Sequence, residues 1–210
     1  ELDGSFSITA GGTGDHQITL GQGNDTYTST STAGEDVIAT AGDNVIRTGD
    51  GADTIVGGSG NDDMSGEGGA DIFQFISANF TSGDTVSGGA GNDTIEMTDD
   101  SIVTDSDFTN VTSVKTLTSS ANINLNAALG AKAMAAGISV VTLIDDGAAN
   151  TVTLGSGFTS AIGVTLATDV GAGDTVSATN YTGALTVSAT DVNLDSFAST
   201  LTGGTGTNTL

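Results

Sequence analysis

Between Asp36 and Asp71 an apolar side chain returns about every nine residues, two places after an aspartate or asparagine that follows a glycine-rich stretch. The register runs Ala33-Gly34-Glu35-Asp36-Val37-Ile38, then Gly42-Asp43-Asn44-Val45-Ile46, then Gly49-Asp50-Gly51-Ala52-Asp53-Thr54-Ile55. It continues as Gly57-Gly58-Ser59-Gly60-Asn61-Asp62-Asp63-Met64 and Gly66-Glu67-Gly68-Gly69-Ala70-Asp71-Ile72-Phe73. Outlying copies stand at Gly21-Gln22-Gly23-Asn24-Asp25-Thr26-Tyr27 and at Gly88-Gly89-Ala90-Gly91-Asn92-Asp93-Thr94-Ile95. So short a period fits neither a helix nor a hairpin array; it is the period of a stacked coil. The stretch after each acidic residue, such as Asp53-Thr54-Ile55-Val56, is β-prone and alternates its faces. Ile38, Ile46, Ile55, Met64 and Phe73 are predicted to point to one side and form a narrow core, stable only because successive coils bury one another.

After about Asp105 the rhythm changes. Val111 to Thr118 reads as a strand, and the alanine-rich run Asn126 to Ala136 reads as the one helix, stopped by Gly137. Strand-like runs follow at Ile138–Ile144, Thr151–Leu154, Ile162–Ala167, Thr175–Ala178, Ala184–Ala189 and Val192–Leu194. They are separated by turns at Asp145-Asp146-Gly147, Gly171-Ala172-Gly173-Asp174 and Asn180-Tyr181-Thr182-Gly183. Either a solenoid of longer, irregular coils or a small β-sandwich fits this order. The solenoid is favoured, because a stacked coil leaves no exposed edge where the two halves meet. The chain is thus read as an all-β protein: a repeat region at 1–100, a β-rich spacer at 101–200, and the start of a further unit at 201–210.

Composition sharpens this picture. The 210 residues hold 32 glycines and 26 acidic side chains against three Lys and Arg, a net charge of −23, with neither proline nor cysteine. Eighteen of the acidic residues precede Asp105, where the repeats lie. Aromatics at 4% are too few for an ordinary globular core. Three cations provide no basic patch for nucleic acid or anionic lipid. No apolar stretch is long enough to span a membrane as a helix.

In-register carboxylates repel one another unless a cation joins them. Glycine-rich turns offer backbone carbonyls, because glycine turns where other residues cannot. Carbonyls and carboxylates together are the donor set of calcium, a hard cation that takes six to eight oxygens. The calcium-free chain is therefore expected to be largely disordered and to fold as the metal binds. Millimolar extracellular calcium would fill even weak sites, so the acidity and the lack of cysteine suit an extracellular protein.

The units resemble the RTX family of secreted bacterial proteins, whose signature is G-G-x-G-x-D-x-U-x with U apolar. The resemblance covers roughly residues 11 to 97 and implies a right-handed parallel β-roll with calcium in its turns. It also implies that each ion lies between turns two repeats apart. The earlier turn gives its second and fourth carbonyls and its aspartate; the later gives its first and third carbonyls and its aspartate. On that basis Gly49, Gly51 and Asp53 face Gly66, Gly68 and Asp71. Thr32, Gly34 and Asp36 face Thr48, Asp50 and Asp53. Thr40, Gly42 and Asn44 face Gly57, Ser59 and Asp62, with Asn44 a neutral ligand. Gly58 and Gly60, Gly21, Gly23 and Asp25, and Asp84, Gly89, Gly91 and Asp93 complete the candidates. Departures from the signature are His16 in a ligand position, two extra residues between the Asp25 and Asp36 units, and the interruption from Phe75 to Thr81. About three to five ions are expected.

Catalysis finds no footing in this sequence. It has one histidine and no cysteine, with neither H-E-x-x-H, nor G-x-S-x-G, nor a phosphate-binding loop. The repeats already account for most of its carboxylates. The expectation is a non-enzymatic structural segment of a secreted bacterial surface protein, an S-layer subunit or an RTX adhesin, able to associate with neighbouring surface molecules, polysaccharide among them. Two other readings stand beside it. One is the calcium-binding accessory region of an exported protease, lipase, epimerase or cytolysin; the other is a threonine-rich solenoid face for carbohydrate or ice. The resemblance further implies type I export by an uncleaved carboxy-terminal signal. Nothing in the sequence looks like one, and Leu201 to Leu210 opens a fresh unit, so the chain is expected to be part of a longer protein.

Overall fold

A computed structural model describes residues 4–121, 123–144, 149–166, 173–189 and 200–210. Three parallel sheets wind around one elongated core. A ten-stranded sheet runs the length of the described chain, from His16–Thr19 to Asn208–Thr209. A six-stranded sheet faces its first part, from Ser7–Ala10 to Val111–Thr112. A five-stranded sheet, from Ser101–Thr104 to Thr200–Thr202, takes over beside the remainder. Neighbouring strands in each sheet are one coil apart in sequence, so the fold is a parallel β-solenoid, not a sandwich.

The coil is about two nonapeptides long where the repeats are regular: Asp53 and Asp71, 18 residues apart, occupy the same place in successive coils. It lengthens to 22 residues at Asp71 and Asp93, and to 24 at Asn150 and Asp174. Period-two alternation sends one row of side chains inward from each sheet. The ten-stranded sheet buries Val37, Ile55, Phe73, Ile95 and Leu117, and the six-stranded sheet buries Tyr27, Ile46, Met64 and Val86. Where the coil first lengthens, aromatic rings fill the added width: Phe75 lies 4.9 Å from Phe80, and Phe80 lies edge-on to Phe108 at 5.3 Å.

Three expectations need correction. Ile38 lies on the surface and Val37 is buried in its place. Both are apolar, so the pattern alone could not fix the phase, and a one-residue slip exchanges inside for outside. Pairing of Val37 with Ile18 and Ile55 decides it. Next, Val111–Thr118 is two strands in two sheets, Val111–Thr112 and Thr116–Ser119. The chain turns the corner between them at Ser113, whose φ of 58° is left-handed. Finally, the helix is shorter than its alanine content suggests. Leu125–Leu129 is a strand with Leu125, Ala127 and Leu129 inward, and only Ala131–Ala136 is helical. Ladders to the strands on either side outweigh alanine's helix propensity. Asp105 of the preceding coil accepts the N–H groups of Gly130 and Ala133 and so holds the start of that helix. The Val192–Leu194 run and the Asp145–Gly147 turn lie outside the described residues.

Candidate metal centre

Each acidic residue of the repeats sits just ahead of its strand, so the two kinds of strand give two columns along the edges of the roll. One column is Glu35, Asp53, Asp71 and Asp93; the other is Asp25, Asn44, Asp62 and Asp84. All eight are buried. In the first column the N–H of Glu35 donates to Asp53 Oδ1 at 2.8 Å, that of Asp53 to Asp71 Oδ1 at 3.0 Å, and that of Asp71 to Asp93 Oδ1 at 3.0 Å. One oxygen of each aspartate is thus spent on the coil before it.

The second oxygen is left over. Oδ2 of Asp53, Asp71 and Asp93 and Oε2 of Glu35 are buried without a hydrogen-bond partner, as are Oδ2 of Asp25 and Asp62. A native protein rarely buries polar atoms in this state, and six in one repeat region call for a positive partner. Glycine shapes the pocket around three of these oxygens. A methyl group on Gly57 would lie 2.6 Å from Asp62 Oδ2, one on Gly88 would lie 2.6 Å from Asp93 Oδ2, and one on Gly66 would overlap Asp71 Oδ2. These are the first residues of their units, five before the acid. Gly88 was absent from the sequence candidates, although its place in Gly88-Gly89-Ala90-Gly91-Asn92-Asp93 is the same.

The turns themselves are in van der Waals contact across coils. Gly68 N–H donates to the Gly49 carbonyl at 3.3 Å, Gly51 N–H to the Gly68 carbonyl at 2.6 Å, and Thr48 Oγ1 to the Gly66 carbonyl at 3.3 Å. These bonds set Asp50 opposite Gly68, Gly51 opposite Gly69 and Asp53 opposite Asp71. Gly69, at φ 133°, has the Gly51 carbonyl where its Cβ would be, so no other residue fits. In the other column, Gly58 and Gly60 lie over the Thr40 and Gly42 carbonyls, Ser59 N–H donates to Thr40 O at 3.2 Å, and Gly42 lies over Gly23. Gly21 accepts from Thr40 Oγ1 at 2.7 Å. Gly89 and Gly91 stack on the Glu67 and Gly69 carbonyls.

One unit is displaced from its expected phase. Asp36 pairs with Thr54 and is exposed, whereas Glu35 is buried beside Asp53 in the column. The turn slips with it: Ser31 and Ala33, not Thr32 and Gly34, lie over Gly49 and Gly51. The extra methylene of glutamate lets it reach inward where the other units use aspartate. Glu35 Oε1 also accepts from Ser29 Oγ at 2.6 Å and pairs with His16 Nδ1 at 2.8 Å. His16 stands in the same column and closes its first end. At the other end Lys115 donates through Nζ to the Gly91 carbonyl at 2.5 Å and to Asn92 Oδ1 at 2.6 Å. In the second column Asp84 differs from its neighbours, because its Oδ2 accepts the Thr81 N–H at 2.9 Å. Asp50 is exposed; its N–H donates to Ser31 O at 2.7 Å, and its Oδ1 lies over Gly68.

Burial favours the protonated form of Asp53, Asp62 and Asp71. Desolvation lifts Asp71 to about 7, with Asp53 and Asp93 nearby adding repulsion, and it lifts Asp62 to about 6. It also raises Asp53. A bound divalent cation reverses that preference by favouring the charged form. Among the described residues no three acidic or histidine side chains converge on one point. Carboxylates and backbone carbonyls stacked along the turns are hard oxygen donors, the kind calcium takes.

Four copies of the RTX calcium-binding nonapeptide repeat match the chain, at residues 38–73 and 81–96. The matched stretch is therefore a calcium-binding repeat region of the RTX type. The match begins at Ile38, just past the displaced unit. Comparison with curated proteins and with solved structures gave no match. Where calcium binds, Asp53, Asp71 and Asp93, with Glu35, would hold it along one edge, joined by carbonyls of their glycine turns; Asp25 and Asp62 offer the same oxygen on the other.

Proposed function

We propose that this chain is a calcium-gated structural segment of a secreted bacterial surface protein, an S-layer subunit or an adhesin, that orders as calcium binds outside the cell. The observation that carries the reading is the set of buried, unpartnered carboxylate oxygens stacked coil on coil. Unscreened, they oppose compaction and keep the chain open for export. Neutralised by a divalent cation shared between two turns, they bind each coil to the next, and order spreads along the stack.

The non-enzymatic part of the proposal rests on finding no constellation with chemical roles among the described residues. His16, the only histidine, is engaged by Glu35, and the repeats use the buried acids structurally. The surface location rests on the repeat family and on acidity unrelieved by basic residues. Among the described residues no helix is long and apolar enough to cross a membrane.

Far-UV circular dichroism during a calcium titration, with magnesium as control, tests the gating. The proposal requires a largely disordered spectrum that gains most of its β-structure with calcium and not with magnesium, which demands octahedral geometry and sheds its waters reluctantly. A spectrum already β-rich in chelator and indifferent to calcium rules it out.

A further inference from the structure

The two edges of the roll do not treat calcium alike, and Asn44 is where they differ. In the column of Glu35, Asp53, Asp71 and Asp93, every member has a buried oxygen without a partner. In the opposite column Asn44, 1% exposed, carries nitrogen at the corresponding position. Its Oδ1 accepts the Asp25 N–H at 2.9 Å, as the aspartates' Oδ1 atoms do for their own preceding coils. Its Nδ2 lies 3.0 Å from the Gly42 carbonyl, 3.2 Å from the Gly57 carbonyl and 2.9 Å from Asp62 Oδ1. The orientation follows from chemistry: the reversed amide would set an oxygen against three oxygens.

Those three acceptors belong to two successive turns and include a carboxylate. They are half of the six groups assigned above to an ion between the Asn44 and Asp62 turns. An amide with two N–H groups supplies positive edges to carbonyls of both turns and to the Asp62 carboxylate, through Oδ1, and leaves Oδ2 without a partner. Asn208 turns its amide the same way, within its own turn. A methyl group on Gly203 would lie 2.9 Å from Asn208 Nδ2, which therefore stands, five residues on from the first glycine, where Asp62 and Asp93 place Oδ2. Asn208 Nδ2 donates to the Gly204 and Gly206 carbonyls, each at 3.1 Å.

We infer that Asn44 replaces a calcium ion: its amide joins the Asn44 and Asp62 turns without metal, so this step of the roll is set before calcium arrives, while the opposite edge depends on the ion. The inference rests on the calcium-binding reading proposed above. It gives the repeat region a metal-independent staple at residues 40–62, from which calcium-driven order on the facing edge propagates. A coil already in register lowers the cost of ordering the next.

The test is an isosteric exchange of one atom. Calcium equivalents are measured by equilibrium dialysis at saturating calcium for the parent, for Asn44→Asp and for Asp53→Asn, together with β-structure of the metal-stripped proteins. Asn44→Asp should bind one equivalent more than the parent and lose β-structure when stripped. Asp53→Asn, the reverse exchange on the facing edge, should lose at least one equivalent and retain the parent's stripped signal. The inference is overturned if Asn44→Asp binds no additional calcium while the parent binds it normally, or if it fails to fold in calcium. It is overturned equally if stripped Asp53→Asn is less ordered than the parent. A parent that binds no calcium at all would instead remove the underlying reading, and the inference with it.

Discussion

The backbone N–H of Asp53 donates to Asp71 Oδ1 across 3.0 Å, while Oδ2 of both residues lies buried with no partner. That one relationship carries two functions. The bonded oxygen sets the register of successive coils, and the free one offers charge to whatever lies between the turns. Asp53 does this toward both neighbours, since its own Oδ1 accepts from Glu35.

Asp53→Ala should therefore raise the midpoint of the calcium-induced transition by about tenfold or more, the equivalent of ~1.4 kcal/mol. Asp107→Ala is the comparison. Asp107 is also hydrogen-bonded, accepting the Thr104 N–H at 2.8 Å, but it caps an exposed turn and belongs to neither column. Equal midpoints for the two variants, followed by circular dichroism, would remove Asp53 from the site.

The displaced unit can be tested by paired substitutions. Val37→Asp puts an unpaired charge in the core and should prevent the folded state or cost ~2 kcal/mol or more; Ile38→Asp, on the surface, should cost less than ~1 kcal/mol. In the same unit Glu35→Gln should weaken calcium binding and Asp36→Asn should leave it unchanged. Denaturant melts and calorimetric titration give the two readouts, and the opposite ranking would restore the Asp36–Ile38 phase.

The acids predict a pH dependence that changes sign with metal. Burial raises Asp71 to about 7 and Asp62 to about 6, so both bind protons more tightly in the folded chain than in the unfolded one. For the metal-stripped protein this contribution to stability is complete below the ordinary aspartate range and is lost as pH rises through about 6 to 7. Its residual β-structure should thus be greater at about pH 5 than at about pH 8. At limiting calcium the order reverses, because protons compete with the ion for the same oxygens. Two spectra at each pH decide it, and parallel trends with and without calcium would contradict the assignment.

Close stacking of turns predicts that Gly69→Ala is strongly destabilising. Its φ of 133° alone costs about 1 kcal/mol for a residue with a Cβ, and the Gly51 carbonyl occupies the place of the methyl group. Gly14→Ala is the control, since nothing lies within 4 Å of its Cβ position and its φ is unrestricted; it should fall within ~0.5 kcal/mol of the parent. Comparable losses in calcium-saturated melts would mean that the turns are not packed as described.

Much of this was legible in the residues because the repeat forces it. Glycine before acid before apolar residue specifies a turn, a ligand position and an inward side chain in one short unit, and Ile46, Ile55, Met64 and Phe73 fall inside as their spacing requires. The phase at Val37-Ile38 was not legible, since two adjacent apolar residues satisfy either frame and only contact with the coils on both sides separates them. Nor was the corner at Ser113, which turns β-prone sequence between two sheets without glycine or proline. Asn126–Leu129 misled through alanine, a residue that serves a narrow solenoid core as well as a helix. The nitrogen chemistry of Asn44 was invisible for another reason: an asparagine in a ligand register looks like a weak ligand until its amide is seen among carbonyl oxygens.

The central claim, that calcium joins successive turns through the second oxygens of the acid column, is tested most directly by anomalous diffraction from crystals grown in calcium. The account requires density between the Asp53 and Asp71 turns, within coordination distance of Oδ2 of both residues, and again between Asp71 and Asp93. Crystals with calcium elsewhere on the surface and none between these turns would contradict it.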